Sequence, residues 1–287
     1  MINLKHIMAS LLNILGINSL GLRLQNAFLS PYIRAVNYHD VAPSQAEAFE
    51  AQLIYFKKKF DVIGPTGLEE VVSGRWDRPR PGLILSFDDG FRSHADVVAP
   101  LLERHGLTGW FMVPVGFIDE PPETQAIYAR QHKIEHSHRD GTNSRIAMTW
   151  EDIRRLSKVH EVGCHSWSHR YLEESLRAED LEVEISMAKK RLETELRREV
   201  QTFAWVGGAE SSYSAAASRA ISKAGFRFSF MTNNKVIRPG EPLLHLQRTN
   251  IEARDPFKLV RFQISGLLDL VYWPKRKRVN RLTRTAV

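Results

Sequence analysis

A single cysteine, Cys164, stands in a chain of 287 residues, so no intramolecular disulfide can form. It lies between Gly163 and His165, where a small buried strand residue is a simpler reading than a thiolate ligand or nucleophile. Glycine-rich phosphate turns are missing too. No G-x-G-x-x-G or G-x-x-x-x-G-K follows an apolar run, which removes support for dinucleotide and phosphate-loop readings. There is no internal repeat. No apolar run is long enough to span a bilayer: Ile7 to Ile17 is short and broken by Ser10 and Asn13. It follows Lys5 and His6 as a signal peptide would, but no small-x-small cleavage site comes after it. Leu20, Leu22, Leu24 and Phe28 continue the pattern with Arg23 and Gln25 interleaved. Residues 1–32 therefore read as an amphipathic segment, lying on the domain or in a membrane interface. Acid is absent from the last sixteen residues, which hold Lys275, Arg276, Lys277, Arg278, Arg281 and Arg284. These bases account for most of the formal charge of +7, so the body is near neutral and offers no nucleic-acid footprint.

With 43% hydrophobic and 25% charged residues, the chain has the composition of a soluble protein with a sizeable core. Its length suits one α/β catalytic domain. Apolar β-rich runs occur near 33–38, 82–87, 109–115, 160–164, 201–206 and 226–231. Helical spacing fills the gaps: Phe49, Leu53, Phe56 and Phe60; Val97, Val98, Leu101 and Leu102; and Leu181, Ile185, Ala188, Leu192 and Leu196. Such alternation implies a parallel sheet covered by helices, either an open doubly wound sheet or a barrel. The stretch 117–148 breaks the rhythm. It is polar, carries Pro121, Pro122 and Gly141, and holds His132, His136, His138 and Asp140 as candidate ligands, so we expect an inserted loop acting as a lid.

Two segments carry chemistry. Ser86-Phe87-Asp88-Asp89-Gly90 closes one buried run, and His165-Ser166-Trp167-Ser168-His169 follows another. Adjacent carboxylates at a strand end point in different directions, so one can bind a cation while the other takes a proton. Capping of the helix near Ser93 would explain one acid but not both. Two histidines at i and i+4 converge on one side of a helical turn or tight loop, and two imidazoles with one carboxylate suit catalytic zinc. Both segments follow strands, so they share one rim of a parallel fold. The combination points to a hydrolase.

These motifs resemble those of the polysaccharide deacetylase family, also called the NodB-homology domain or carbohydrate esterase family 4. Its first motif is Thr or Ser, Phe, Asp, Asp, Gly, and its second is His, Ser or Thr, two residues, His; both are present without gaps. The similarity extends over roughly 33–252, through Val97, Pro100, Leu101, Leu102, Gly106, Phe111-Met112-Val113 and Thr149-Trp150. The resemblance implies an irregular (β/α) barrel of about seven parallel strands. It implies Asp89, His165 and His169 as metal ligands, Asp88 as general base, and a divalent metal with zinc as the default. The third motif departs: Trp205-Val206-Gly207-Gly208 stands where relatives have a proline and an aromatic before glycine, and the usual arginine is absent. By the resemblance, the N–H of Gly207 can still serve as the oxyanion donor. For the acid that protonates the departing amine, His39 in Val36-Asn37-Tyr38-His39-Asp40 resembles the start of the poly-N-acetylglucosamine deacetylase branch and is preferred to His245. Arg248, near the last strand, is expected to pair with Asp88 and keep it ionised.

The expected organisation is an N-terminal segment 1–32, a catalytic domain 33–265 containing the loop 117–148, and a basic tail 266–287. The expected function is metal-dependent removal of an N-acetyl group from an amino sugar of a polysaccharide, glycolipid or glycan precursor. Alternatives are a deformylase or other linear-amide hydrolase, or a catalytically weak glycan-binding protein. The apolar run Ile264 to Trp273 followed by Lys275-Arg276-Lys277-Arg278 suits an anionic bilayer surface. Cytoplasmic placement with peripheral contact at the inner membrane is therefore expected ahead of secretion. Sugar identity and oligomeric state are not legible.

Overall fold

The computed structural model describes residues 16–137 and 145–283; the readings at 1–15 and at His138, Asp140, Gly141 and Arg284 lie outside the described residues. Among the described residues nine strands occur, in chain order: β1 (Ile33–Tyr38), β2 (Asp61–Val62), β3 (Gly82–Phe87), β4 (Gly109–Val113), β5 (Glu161–Cys164), β6 (Thr202–Ala204), β7 (Phe228–Met231), β8 (Leu246–Gln247) and β9 (Thr249–Asn250). The six longest-legible runs supply β1 and β3 to β7. The others are two residues each, too short for any periodicity.

All pairings between these strands are parallel, in the order β8-β7-β6-β5-β4-β3-β1-β9, with β2 added beside β3. β8 and β9 are consecutive pieces of one stretch, separated only by Arg248. One piece pairs with β7 and the other with β1, so the sheet closes on itself through residues 246–250. Counting that stretch once, β1, β3 to β7 and the closing segment are the staves of a (β/α) barrel.

Alternation along each strand sorts side chains into two layers. Ile33, Ala35, Ile84, Trp110, Met112, Ala204, Phe228, Phe230 and Leu246 pack together inside the barrel. Val36, Tyr38, Leu83, Leu85, Phe87, Phe111 and Val113 face outward into the helix layer. Continuing the inner register toward the strand ends, the apolar filling gives way to Asn37, Ser86, Asp88 and Arg248, all buried. The polar functional groups therefore sit on an apolar plug.

The helices are α1 (Ile17–Leu29), α2 (Ala46–Lys59), α3 (Pro65–Val72), α4 (Ala99–Arg104), α5 (Val115–Asp119), α6 (Pro122–Gln131), α7 (Trp150–Leu156), α8 (Ala178–Leu181), α9 (Ala188–Leu196), α10 (Ala215–Lys223), α11 (Phe257–Ile264), α12 (Leu267–Val271) and α13 (Trp273–Leu282). A π turn, Glu182–Met187, joins α8 to α9. α7 starts at a capping box, with Thr149 Oγ1 accepting from the N–H of Asp152 and the Asp152 carboxylate accepting from Thr149. α2 buries Phe49, Leu53 and Phe56 on one face.

Two expectations need correction. The segment 117–148 is not a long irregular loop: the end of α5 and all of α6 occupy its first half, and Ala147 bridges back to Phe91. The proline pair that suggested a loop instead starts α6, where a missing N–H costs nothing. Likewise, residues 266–283 are not a trailing tail. Arg276 is buried and donates to the carbonyls of Asn233 (3.1 Å), Asn234 (2.5 Å) and Asp269 (2.6 Å). Asp269 in turn takes a bidentate pair from Arg34 at 2.8 and 2.9 Å beneath α1. Because charged donors to buried carbonyls are worth more than neutral ones, Arg276→Ala should lower unfolding free energy by at least about 2 kcal/mol. Denaturant titration checks this; an unchanged midpoint would mean that α13 is not part of the folded body.

Candidate active site

The first motif is built by a change of backbone hand. The N–H of Asp88 still extends the ladder, bonding the carbonyl of Tyr38 at 2.9 Å, so its side chain follows the inner register into the barrel. Asp89 then adopts φ +76° and Gly90 φ +66°. Left-handed backbone at a non-glycine residue is unfavourable and persists only where its surroundings enforce it. The reversal sends the second carboxylate away from the first. Neither acid caps the helix that follows; its N-terminal Ser93 gives its hydroxyl to Asp40 instead, at 2.6 Å.

The second motif lies in a loop after β5, not in a helical turn, with Ser166 at φ +64° and His169 at φ +55°. Glu184, buried in the π turn between α8 and α9, holds this loop: its carboxylate accepts from the N–H of Trp167 (3.1 Å), the N–H of Ser168 (2.9 Å) and the Ser168 hydroxyl. The start of α5 adds a bond from the N–H of Gly116 to the Trp167 carbonyl at 2.8 Å.

Backbone carbonyls fix both imidazoles. Nδ1–H of His165 donates to Ala204 O at 2.9 Å, and Nδ1–H of His169 donates to His132 O at 2.8 Å. With Nδ1 protonated, a neutral ring has its Nε2 lone pair free. Those two Nε2 atoms lie 3.4 and 3.1 Å from Oδ1 of Asp89, a buried oxygen with no hydrogen-bond donor. The three ligand atoms lie within 4.8 Å of one another. Three lone pairs facing one another in a buried site repel unless positive charge sits among them, and two imidazoles with one carboxylate form a donor set that suits zinc. The residues therefore fit a cation. Without one, burial favours the neutral acid at Asp89 but His169 and His165 outweigh it and hold the carboxyl well below the usual range. The same contact raises His169 against its own burial.

Asp88 occupies a different electrostatic setting. Burial pushes its carboxyl up, yet Arg248 dominates the net effect and holds it down. Nη1 and Nη2 of Arg248 donate to its two oxygens at 2.7 and 2.8 Å, while Nη1 also reaches Ser86 Oγ at 3.0 Å. Asn37 Nδ2 adds a long contact at 3.4 Å.

A cavity of about 390 Å³ opens above these groups, with His39, Lys133, Tyr171, Gly207 and Glu252 among its walls. His39 Nδ1 stands 3.4 Å from Oε1 of Glu252. Burial disfavours the imidazolium, but Glu252, Asp89 and Asp88 raise its pKa to about 9. His94, buried among aromatic rings, donates from Nε2 to the backbone carbonyl of His39 at 3.0 Å and so steadies that strand end. His245 is elsewhere, 3.5 Å from the Ser218 hydroxyl on α10 and outside the cavity lining. Cys164 is fully buried, and burial pushes its thiol far up, so it offers no thiolate.

Gly207 has φ +74°, and a side chain there would meet the Tyr171 ring at 2.7 Å and Ser212 Oγ at 2.8 Å. Tyr171 thus provides an aromatic face beside the irregular third motif, with Lys133 Nζ 4.9 Å above its ring. The loop is gripped from the C-terminal side: Lys275 donates to the Gly208 carbonyl, and Arg278 makes a bidentate pair with Glu210 at 2.7 and 2.9 Å. Of the 117–148 segment, Lys133, Glu135, His136 and Ser137 line the cavity, and Ser137 N–H bonds Asp40 at 2.7 Å. His132 contributes its carbonyl to the site while its ring stacks on Tyr128 at 4.1 Å.

Glu184, His94, Glu252 and Tyr171 were not found by sequence reasoning. Glu184 left one trace, a charge three residues beyond Leu181 inside an otherwise apolar stripe. The others carry no pattern.

A family model described as polysaccharide deacetylase matches residues 76–229. No curated protein matches the chain. Among solved structures it resembles IcaB from Ammonifex degensii, with 20% identity, 83% of this chain and 98% of that chain covered, and a TM-score of 0.64. It also resembles the Streptococcus pyogenes deacetylase PplD in complex with acetate (16%, 81% and 98%, TM-score 0.63). A de-N-acetylase from Aggregatibacter actinomycetemcomitans is similar at 15% identity, with 80% and 98% covered and a TM-score of 0.62. At these identities the likeness establishes the barrel fold.

Groups that orient metal ligands from behind typically govern 10- to 100-fold in affinity. Glu184→Gln should accordingly weaken zinc binding by about 10- to 100-fold in calorimetric titration, with the melting transition retained. Equal affinity would remove Glu184 from this role. In metal-free protein, the His39 imidazole should titrate near 9 by NMR, and Glu252→Gln should bring it down toward 6.5, because the mutation removes the group that favours the protonated ring. A His39 titration unaffected by Glu252→Gln would contradict the pairing.

Proposed function

The chain belongs to the polysaccharide deacetylase family, and from that premise we propose that it is a metal-dependent hydrolase removing an N-acetyl group from an amino sugar of a glycan. The observation that carries this reading is the buried convergence of Asp89, His165 and His169 beside an Asp88 held ionised by Arg248. A deacetylase needs a Lewis acid, a base, an oxyanion donor and an acid for the amine; Asp89, His165 and His169 would hold the first, and Asp88, Gly207 and His39 suit the other three.

Asp89, His165 and His169 would hold a divalent cation, zinc by the chemistry of the donor set, which when bound would supply Lewis acidity to the acyl oxygen and to water, so that a weak base would suffice. Asp88 is that base. Its depressed pKa keeps it unprotonated at neutral pH, ready to accept the proton of water attacking the carbonyl carbon. Gly207, on the cavity wall beside Tyr171, supplies its N–H to the oxygen that becomes negative. His39, with a pKa raised to about 9, carries a proton at neutral pH and gives it to the nitrogen as the C–N bond breaks. The products are acetate and a free amino sugar. Arg248 touches only Asp88 and Ser86 in this scheme, and acts through the charge it fixes.

The acetyl group is supported by the acetate named with PplD and by the de-N-acetylase among the similar structures. The polar cavity with an aromatic wall at Tyr171 suits a sugar ring in a polysaccharide, glycolipid or lipid-linked precursor.

Loss of a general base typically costs 10²- to 10⁴-fold, so Asp88→Asn should release acetate from N-acetylated saccharides at least about 100-fold more slowly than wild type. Zinc stoichiometry should be unchanged, because Asp88 is not a ligand. Release of formate but not acetate by the wild type would redirect the reading to another linear amide. No release of either by zinc-loaded protein would leave a glycan-binding module.

A further inference from the structure

We propose that the outer face shared by α1, α12 and the start of α13 docks on an anionic lipid bilayer. On α1 the usual amphipathic arrangement is inverted. Its inward positions are Asn18, Leu22 and Gln25, with Gln25 bonding Arg34 at 2.5 Å and the Ile264 carbonyl at 3.3 Å. Leu20, Leu24 and Phe28, spaced by four, form an apolar stripe toward solvent, and Phe28 is 77% exposed. Neighbouring helices continue the character. Gly21 and Gln25 pack against Ser265 and Gly266, the turn that begins α12, and beyond that turn Leu270, Val271 and Trp273 stand 75%, 66% and 54% exposed.

Charge selects the occupant. Residues 1–39 contain no Asp or Glu, and none follows Asp269, whose carboxylate is engaged by Arg34. Not all of the C-terminal bases are available: Arg276 is buried, Lys275 bonds Gly208, and Arg278 pairs with Glu210. Arg23, Lys277 and Arg281 remain outward, with Lys277 Nζ 4.3 Å from the Trp273 ring. Exposed leucines and a phenylalanine beside interfacial Trp273 and Tyr272, rimmed by bases and with the adjoining acids Asp269 and Glu210 each paired to an arginine, complement anionic headgroups and the acyl boundary below them. Lys275 ties α13 to the cavity wall at Gly208, so the docked face adjoins the cavity. Only the substrate's whereabouts rests on the deacetylase reading: a docked enzyme would meet glycans attached to or leaving the membrane. Binding itself does not depend on it.

The test is cosedimentation of the full chain with vesicles of phosphatidylcholine alone or mixed with phosphatidylglycerol, with no saccharide present. Wild type should bind the mixed vesicles and lose affinity in high salt. The triple variant Phe28→Ser, Leu270→Ser, Trp273→Ser should bind at least about tenfold more weakly while melting temperature and zinc stoichiometry stay unchanged, and Lys277→Glu with Arg281→Glu should weaken binding by a similar factor. Wild-type affinity in the triple variant would overturn the proposal. So would absence of binding by wild type, or a concentration-dependent dimer that the triple variant dissolves, which would assign the face to a second copy. None of these results bears on acetate release by the wild type or by Asp88→Asn.

Discussion

The bidentate pair between Arg248 and Asp88 ties the closure of the barrel to its chemistry. Arg248 is the residue between β8 and β9, where one stretch of chain turns from pairing with β7 to pairing with β1. Its side chain is fully buried, and its natural partner inside the barrel is the carboxylate at the end of β3. Taking both charges out of water is costly, and removing either partner would strand the other at a cost of about 3–5 kcal/mol. The barrel therefore closes with Asp88 ionised and aimed inward, which leaves Asp89 to turn away through a left-handed backbone. One ion pair thus sets which of two adjacent acids stays with Arg248 and which joins His165 and His169.

Around that pair, the site is assembled from groups that oppose one another's preferences. Asp89, His165 and His169 present lone pairs to a common point and are kept there by carbonyls of Ala204 and His132 and by the buried carboxylate of Glu184. His39 is raised against its own burial chiefly by Glu252, with the charges of Asp89 and Asp88 adding to it. The third-motif loop has neither the rigid proline nor the arginine of relatives; Lys275 and Arg278 from α13 hold it from outside instead. The segment expected to be a basic tail is thereby structurally continuous with the cavity wall.

Much of this was legible in the residues themselves. Long buried strands announce themselves because β-branched and aromatic runs have no other stable home, and the two motifs are short, local and contiguous. Asp88-Asp89-Gly90 and His165 to His169 could be read without knowing any tertiary contact. The closing strands could not, because two-residue pieces broken by an arginine carry no period. Glu184 and Glu252 were invisible for a different reason: their partners lie in other elements, and a lone acid on a helix or loop ordinarily faces water. The proline pair at Pro121-Pro122 misled because proline starts helices as readily as it ends them. The spacing of His165 and His169 left a helical turn and a tight loop both open; Ser166 and His169 adopt left-handed backbone and bring the rings together within a loop.

X-ray absorption at the zinc edge of metal-reconstituted protein tests the centre of this picture most directly. Two imidazole nitrogens and one carboxylate oxygen are expected at about 2.0–2.2 Å, with light-atom scatterers completing the shell. A sulfur neighbour near 2.3 Å, or fewer than two imidazoles, would contradict the assignment of Asp89, His165 and His169 as the cation site.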